Sequence, residues 1–271
     1  MRELSGRVAV VTGAASDIGR GMVLAFARAG MHTVAADVDA SGAQTVAEEA
    51  ALIGPRSLAL ATDVTDPDAL EALAEKTWAE FGACHVLCNN AGVAVARPLA
   101  ETTEEDWRWT LRVNLWGVVN GVNAFLPRLK VQGEEAHIVN TASMSGHLPT
   151  PLLGAYTASK YAVVGLSECL AIELADEPIG VSVLCPGAVD TRIGDAGRNR
   201  PQGLGPDVPI PSEILDALAR GMDAERAGEI VCRAIEEGEF WIFTHPAMAP
   251  AVEKRFADLR GAFGRWRDRL G

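Results

Sequence analysis

Short β-branched apolar runs alternate along this sequence with longer stretches of helical period, and that alternation narrows the possible folds more than any other feature. The apolar runs predict strands at 8–12, 33–37, 57–61, 86–89, 137–141, 181–185 and 240–244. Between them, apolar positions three and four apart predict helices at 19–28, 40–52, 67–81, 104–129, 153–174 and 223–237. Strand and helix in regular succession make an α/β chain with a doubly wound parallel sheet of about seven strands and helices on both faces. Ligands of such sheets sit beyond the carboxyl ends of the strands, so the residues that follow each strand are where chemistry is sought.

Glycines and prolines, 27 and 14 of them, are scattered, with no repeat or linker at which to divide the chain, and residues 1–271 are expected to form one domain. A formal charge of −12 and no basic run exclude a phosphate-tracking surface, so nucleic acid is not an expected partner. Residues 1–6 lack the basic and apolar segments of a leader, and no apolar run reaches membrane-spanning length; a soluble, cytoplasmic protein is expected. The five cysteines, Cys84, Cys88, Cys169, Cys185 and Cys232, contain no C-x-x-C pair and read as buried free thiols, with no metal site.

After the first strand, Thr12-Gly13-Ala14-Ala15-Ser16-Asp17-Ile18-Gly19 forms a small-residue turn running into a helix. Such a turn brings backbone N–H groups close to a pyrophosphate, whose charge the helix N-terminus favours. The second strand ends at Asp37, where a carboxylate can accept hydrogen bonds from both ribose hydroxyls of an adenine nucleotide; capping the helix that begins near Ala40 is the other role open to it. Neither Ser16 nor Val38 offers a cation for a 2′-phosphate, so NAD is preferred over NADP. Asp17 is the anomaly. A carboxylate about 6 Å from a phosphate charge costs roughly 3 kcal/mol at an effective dielectric of 20, so Asp17 is expected to turn away and cap the following helix, or to weaken the cofactor.

Tyr156-Thr157-Ala158-Ser159-Lys160 opens a long helix, and a spacing of four places phenol and ammonium on one face. A nearby ammonium stabilises phenolate and is expected to lower the tyrosine toward a range useful for proton transfer. Ser143 follows the fifth strand and can reach the same substrate oxygen, while Asn114 is a polar residue in an otherwise apolar helical run.

Taken together and in this order, these residues resemble the motif set of the short-chain dehydrogenase/reductase family, whose fold is of Rossmann type. The resemblance runs from Arg7 to about Thr191 and includes the glycine loop, Asp63-Val64, Asn89-Asn90-Ala91-Gly92, Asn114, Ser143, Tyr156 with Lys160, and Cys185-Pro186-Gly187-x-Val189-x-Thr191. It implies hydride transfer between NAD and a secondary alcohol or ketone, with Asn114, Ser143, Tyr156 and Lys160 catalytic. It further implies cofactor contacts from Gly13, Ser16, Asp17, Ile18, Gly19, Asp37, Asp63, Val64, Asn90, Ala91, Gly92, Tyr156, Lys160, Pro186, Gly187, Val189 and Thr191. Among these, Asp63 and Val64 flank the adenine and Thr191 holds the nicotinamide amide, Lys160 also reaches the nicotinamide ribose, and Asn114 positions a relay water. A homotetramer or homodimer is implied as well, because the helices at 104–129 and 153–174 carry apolar residues on more than one face.

Two residues depart from the family pattern: Asp17 replaces a loop glycine, and His85 stands where the pattern has Asp. His85 is read as structural. His147, Met144 and Leu148 are expected either to line the substrate pocket or to pack, and Trp241 and Phe243 to be core or interface residues. Residues 192–222, bearing Leu204, Val208, Ile210, Ile214, Leu215 and Leu218, are expected to cover the substrate and to favour a bulky, non-phosphorylated one; Arg192, Arg198 and Arg200 there either meet an anion or are solvated. Two other functions use the same fold: an epimerase or lyase that borrows NAD transiently, and a non-catalytic NAD sensor.

Overall fold

The computed structural model describes residues 1–205 and 209–270, so Val208 lies outside the described residues. Seven parallel strands form one sheet in the order β3-β2-β1-β4-β5-β6-β7: β1 Val8–Thr12, β2 His32–Asp37, β3 Ser57–Ala61, β4 Val86–Asn89, β5 Ala136–Thr141, β6 Ile179–Cys185 and β7 Trp241–Phe243. The chain first steps outward on one side of β1 and then returns to pair β4 against its other side, with Val10 opposite both Val34 and Leu87. That reversal opens a crevice above β1 and β4, into which the loops after both strands project.

Helices α1 Asp17–Arg28, α2 Ala40–Ala51, α3 Pro67–Phe81, α4 Glu104–Leu111, α5 Gly117–Gln132, α6 Gly154–Glu173, α7 Ser212–Ala219, α8 Ala224–Glu237 and α9 Ala249–Leu270 follow. One apolar core joins Val11, Val86 and Val139 to Met22 and Phe26 of α1 and Val231 and Ile235 of α8. The other lies on the opposite face, where Val10, Leu87 and Ile138 meet Leu70 and Leu73 of α3 and Phe125 and Leu129 of α5. Local signals set the boundaries. Asp66 accepts from Asp68 N and precedes Pro67 to start α3, and Gly82, at φ 78°, ends it. Thr103 and Asp106 exchange side-chain and backbone bonds in a capping box that starts α4.

The single helix expected at 104–129 is interrupted. Residues Arg112–Trp116 make a π turn, in which Gly117 N donates to Arg112 O, five residues back, and α5 then runs on to Gln132. Cys169 is exposed, correcting the expectation that all five thiols are buried. Trp241 and Phe243 are partly exposed and stack on each other, so only Ile242 of β7 is core. α9 was not anticipated, and none of its residues is buried. No described helix is long and apolar enough to cross a membrane.

Candidate active site

A cavity of ≈ 340 Å³ runs from Gly13, Ser16, Ile18, Gly19 and Asp37 past Asn90, Ala91 and Gly92 to Ser143, Tyr156 and Lys160, closed by Pro186, Gly187, Val189 and Thr191. A second, of ≈ 370 Å³, continues beyond Asp37 to Asp63 and Val64, with Trp109 and Leu204 as its far wall. The two share Gly13, Asp37, Ala91 and Gly92, so every cofactor residue expected from the sequence lines one groove. Asn114 does not. It is fully buried behind Gly92, on which an added Cβ would sit 3.5 Å from Asn114 Oδ1 and 3.6 Å from Lys160 Nζ.

At Gly13 and Gly19 the loop is packed too tightly for any side chain. A Cβ on Gly19 would lie 1.9 Å from Gly13 O, and one on Gly13, whose φ is 66°, would lie 2.7 Å from Ala91 Cα. What these two positions present to the groove is therefore bare main chain beside the start of α1, a surface that fits a pyrophosphate. Asn90 fixes its position: Nδ2 donates to Thr12 O at 3.0 Å and Gly13 O at 3.3 Å, and Oδ1 accepts from Thr141 Oγ1 at 3.2 Å. Thr12 Oγ1 in turn accepts from Asn90 N at 2.9 Å, a role that the sequence reading did not assign to Thr12.

Asp37 accepts from Ala15 N and from Asp39 N, each at 2.9 Å. The helix cap of α2 is Asp39, which accepts from Gly42 N, so the capping alternative for Asp37 falls. Asp17 does not cap either. It stands at φ 56°, and its Oδ2 accepts from Ser16 Oγ and, across the groove, from Arg192 N, both at 3.1 Å. The carboxylate that looked misplaced beside a phosphate site thus ties the glycine loop to the first turn of the covering segment.

At the other end, Lys160 Nζ donates to Thr141 O at 2.8 Å and lies 5.5 Å from the Tyr156 ring centre. Full burial pushes Lys160 down to about 8. Burial also raises the Tyr156 phenol above its ordinary value, with the neighbouring Ser143 hydroxyl pulling partly the other way. The expected lowering of Tyr156 by the lysine is not found: desolvation sets the direction, and the group that opposes it is the Ser143 hydroxyl. Asn114 Oδ1 accepts from Val93 N at 2.8 Å, and its Nδ2 donates to Val93 O at 2.9 Å and Ser159 Oγ at 3.0 Å. Ser159 Oγ donates to Tyr156 O at 2.6 Å, so Ser159 links Asn114 to the turn that carries the phenol. The sequence alone assigns Ser159 no function, although its place one residue before Lys160 is the signal for one.

The first part of the 192–222 segment is held at two points. Beyond Arg192, Arg200 Nη2 pairs with Asp106 Oδ1 at 2.8 Å, Arg97 Nε meets Asp106 Oδ2 at 3.1 Å, and the Arg200 guanidinium stacks over Trp109 at 5.1 Å. Arg200 is therefore neither solvated nor an anion receptor. Ile193, Ala196, Ile210, Ile214 and Leu218 turn apolar side chains to the cavity, joined by Met144, Leu148, Leu153 and Met248. His147, in contrast, is buried against Trp241 and Phe243, with Nε2 3.3 Å from Cys185 Sγ; it packs and does not line the cavity. His85 Nδ1 accepts from Val8 N, and Nε2 pairs with Glu134 at 3.1 Å, which is a structural role.

Residues 7–201 match the model of the short chain dehydrogenase family. The chain is 37% identical over 258 residues to 1-deoxy-11-beta-hydroxypentalenate dehydrogenase of Streptomyces exfoliatus, covering 94% of this chain and 89% of that protein. It is 32% identical to the C alpha-dehydrogenase of a Sphingobium strain, over 94% of this chain and 86% of that one. Among solved structures, a short chain dehydrogenase/reductase from Burkholderia phymatum in complex with NAD superposes with a TM-score of 0.92 at 38% identity, covering 96% of each chain.

Proposed function

We propose, from the premise that this chain belongs to the short-chain dehydrogenase/reductase family and is an NAD-dependent oxidoreductase, that it interconverts an apolar secondary alcohol and its ketone with Tyr156 as the general acid and base. The observation that carries this reading is the placement of Ser143, Tyr156 and Lys160 at one end of the same groove whose other end holds Gly13, Gly19 and Asp37. Bound NAD supplies the hydride acceptor for the carbinol carbon, and its reduced form the donor. The rest is done by the protein. The loop N–H groups bind the pyrophosphate, Asp37 accepts from the adenosine ribose, and Asp63 and Val64 border the adenine end, while Ile18 and Ala91 shape the groove between. Val189 and Thr191, with Pro186 and Gly187, bound the nicotinamide side.

With its phenol raised by burial, Tyr156 is protonated at neutral pH, the form that donates to a ketone oxygen; in alcohol oxidation it must first surrender that proton to solvent. Ser143 hydrogen-bonds the same substrate oxygen. Lys160 adds a positive charge that favours an oxyanion there. Asn114, whose amide donors are committed to Val93 O and Ser159 Oγ, positions the Tyr156 turn, and the relay water implied by the family would meet its remaining acceptor. The apolar wall from Ile193 to Leu218 favours a bulky substrate without phosphate.

We read 1–271 as one catalytic unit, cytoplasmic in keeping with five free thiols, and assembled as a homodimer or homotetramer through α5 and α6, whose outer faces expose Val131 and Ile172. No observation favours a transient-hydride epimerase or a silent sensor over this reading. The test is Tyr156→Phe, assayed by NADH absorbance over a panel of secondary alcohols. Turnover should fall 10²–10⁴-fold, the usual worth of a general acid/base, with NAD affinity nearly unchanged; retention of more than about a tenth of wild-type kcat refutes the assignment.

A further inference from the structure

Helix α9 carries an apolar stripe that is largely exposed. Val252, Phe256, Leu259, Phe263, Trp266 and Leu270 recur at alternating steps of four and three, the spacing of a seam between a helix and a partner. Only the root is anchored: Val252 joins the cluster around Met248, and the Arg255 guanidinium lies 5.3 Å over the Tyr161 ring. Beyond it, Phe263 is 78% exposed, Trp266 57% and Leu270 81%. The five large side chains from Phe256 onward present roughly 500 Å² of apolar surface, the size at which a patch marks an interface.

Charge decides among the surfaces that could cover this stripe. α9 carries six cations against three carboxylates, a net +3, which leaves −15 on the remainder of a chain whose total is −12. The positions that flank the stripe are mainly Arg255, Arg260, Arg267 and Arg269. Two such helices pairing with each other would set these arginines face to face, so a seam between two α9 helices is disfavoured. An anionic bilayer would suit the helix taken alone but would repel the acidic body to which it is attached. A surface that is acidic and held at the right reach is the body of a second copy, where Ile172, itself 77% exposed, lies among exposed Glu168, Glu173 and Asp176.

We infer that α9 is an exchange arm: residues 256–270 of each copy lie with their apolar stripe and arginines on the acidic body of another copy. Two reciprocal arms and the faces they cover bury about 2,000 Å², against roughly 1,600 Å² for a standard stable interface. Trp and Arg are the residue types that dominate such contacts. Its acceptor includes the exposed end of α6, at Glu168, Ile172 and Glu173, so this inference rests on the same α6 face as the proposed assembly and extends the contact made there.

The test compares the full chain with Leu259→Glu/Phe263→Glu and with a chain ending at residue 251, by light scattering coupled to gel filtration at ~10 µM protein, in 0.1 M and 1 M NaCl. Helical circular dichroism and NADH fluorescence check that each variant is folded. The expected result is an assembled wild type and, for both variants, a particle of half the mass or less with NADH binding kept. An assembled wild type whose mass neither variant changes overturns the arm but leaves the α5 and α6 interface standing. A monomeric wild type overturns both. Co-sedimentation of the wild type with phosphatidylserine vesicles, lost in the double variant while mass is unchanged, would assign the stripe to a membrane surface instead.

Discussion

Replacing Lys160 by Met should disable the enzyme and, at neutral pH, relieve it of a buried charge. The lysine is fully buried and held at about 8, against an ordinary 10.5. Below pH 8 both the folded and the unfolded chain carry the ammonium, and only the folded one bears the cost of desolvating it. Above pH 10.5 neither carries it. Between those values the unfolded state binds more protons, so this group makes wild-type stability rise with pH. At 1.36 kcal/mol per unit, the rise between pH 7 and pH 10 is about 2.5 kcal/mol. Met keeps the apolar stem and loses the donor to Thr141 O, but that loss is the same at every pH. Urea unfolding of both proteins without cofactor, at pH 7 and pH 10, isolates the charge: the wild-type-minus-variant difference should move by about 2.5 kcal/mol in favour of the wild type as pH rises. A difference that does not depend on pH would show that Lys160 is compensated in the fold and would refute the reasoning.

Cofactor choice should follow Asp37: wild-type kcat/KM for NAD should exceed that for NADP at least about a hundredfold, roughly 2.7 kcal/mol, and Asp37→Ser with Val38→Arg should narrow or invert the ratio. Equal use of the two cofactors by the wild type would remove Asp37 from the ribose. Asp17→Gly, which restores the family's usual loop residue, should weaken NADH binding by about threefold to tenfold, the net worth of one solvent-exposed hydrogen bond to Arg192 N, while Asp17→Asn, which still accepts, should lose less. Fluorescence titration decides it, and tighter binding by the glycine variant would return Asp17 to the status of a misplaced charge.

The strands were legible because their apolar runs are too short for helices and are bounded by polar residues, glycine or proline, and part of the groove was legible because Gly13, Asp63, Asn90, Ser143 and Pro186 come just after strand ends. What was not legible depends on distance or on depth. The bond from Arg192 N to Asp17 spans 175 positions, and no local pattern announces it. Arg200 looked solvated because the fully buried Asp106 that receives it reads locally as part of a helix cap. A spacing of four does place Tyr156 and Lys160 on one side of α6, but how far each is desolvated decides their protonation, and sequence does not report that. α9 shows its four-and-three spacing in the sequence, but it lies beyond the last strand, where the strand–helix alternation no longer predicts an element.

The π turn at Arg112–Trp116 sets the rotational phase of everything after it. Each residue of a regular helix advances the side-chain direction by about 100°, so winding these same residues as uninterrupted α-helix, without the extra residue that the π turn accommodates, would turn the whole of α5 by that angle relative to α4. Gly117, Gly121, Phe125 and Leu129 would swing out of the core, and Asn114 could no longer face Val93 and Ser159 while Trp109 stayed beneath Arg200. The irregular turn therefore acts as a gear between two requirements, a covering segment clasped by α4 and a core filled by α5, that no uninterrupted helix of this length can meet together.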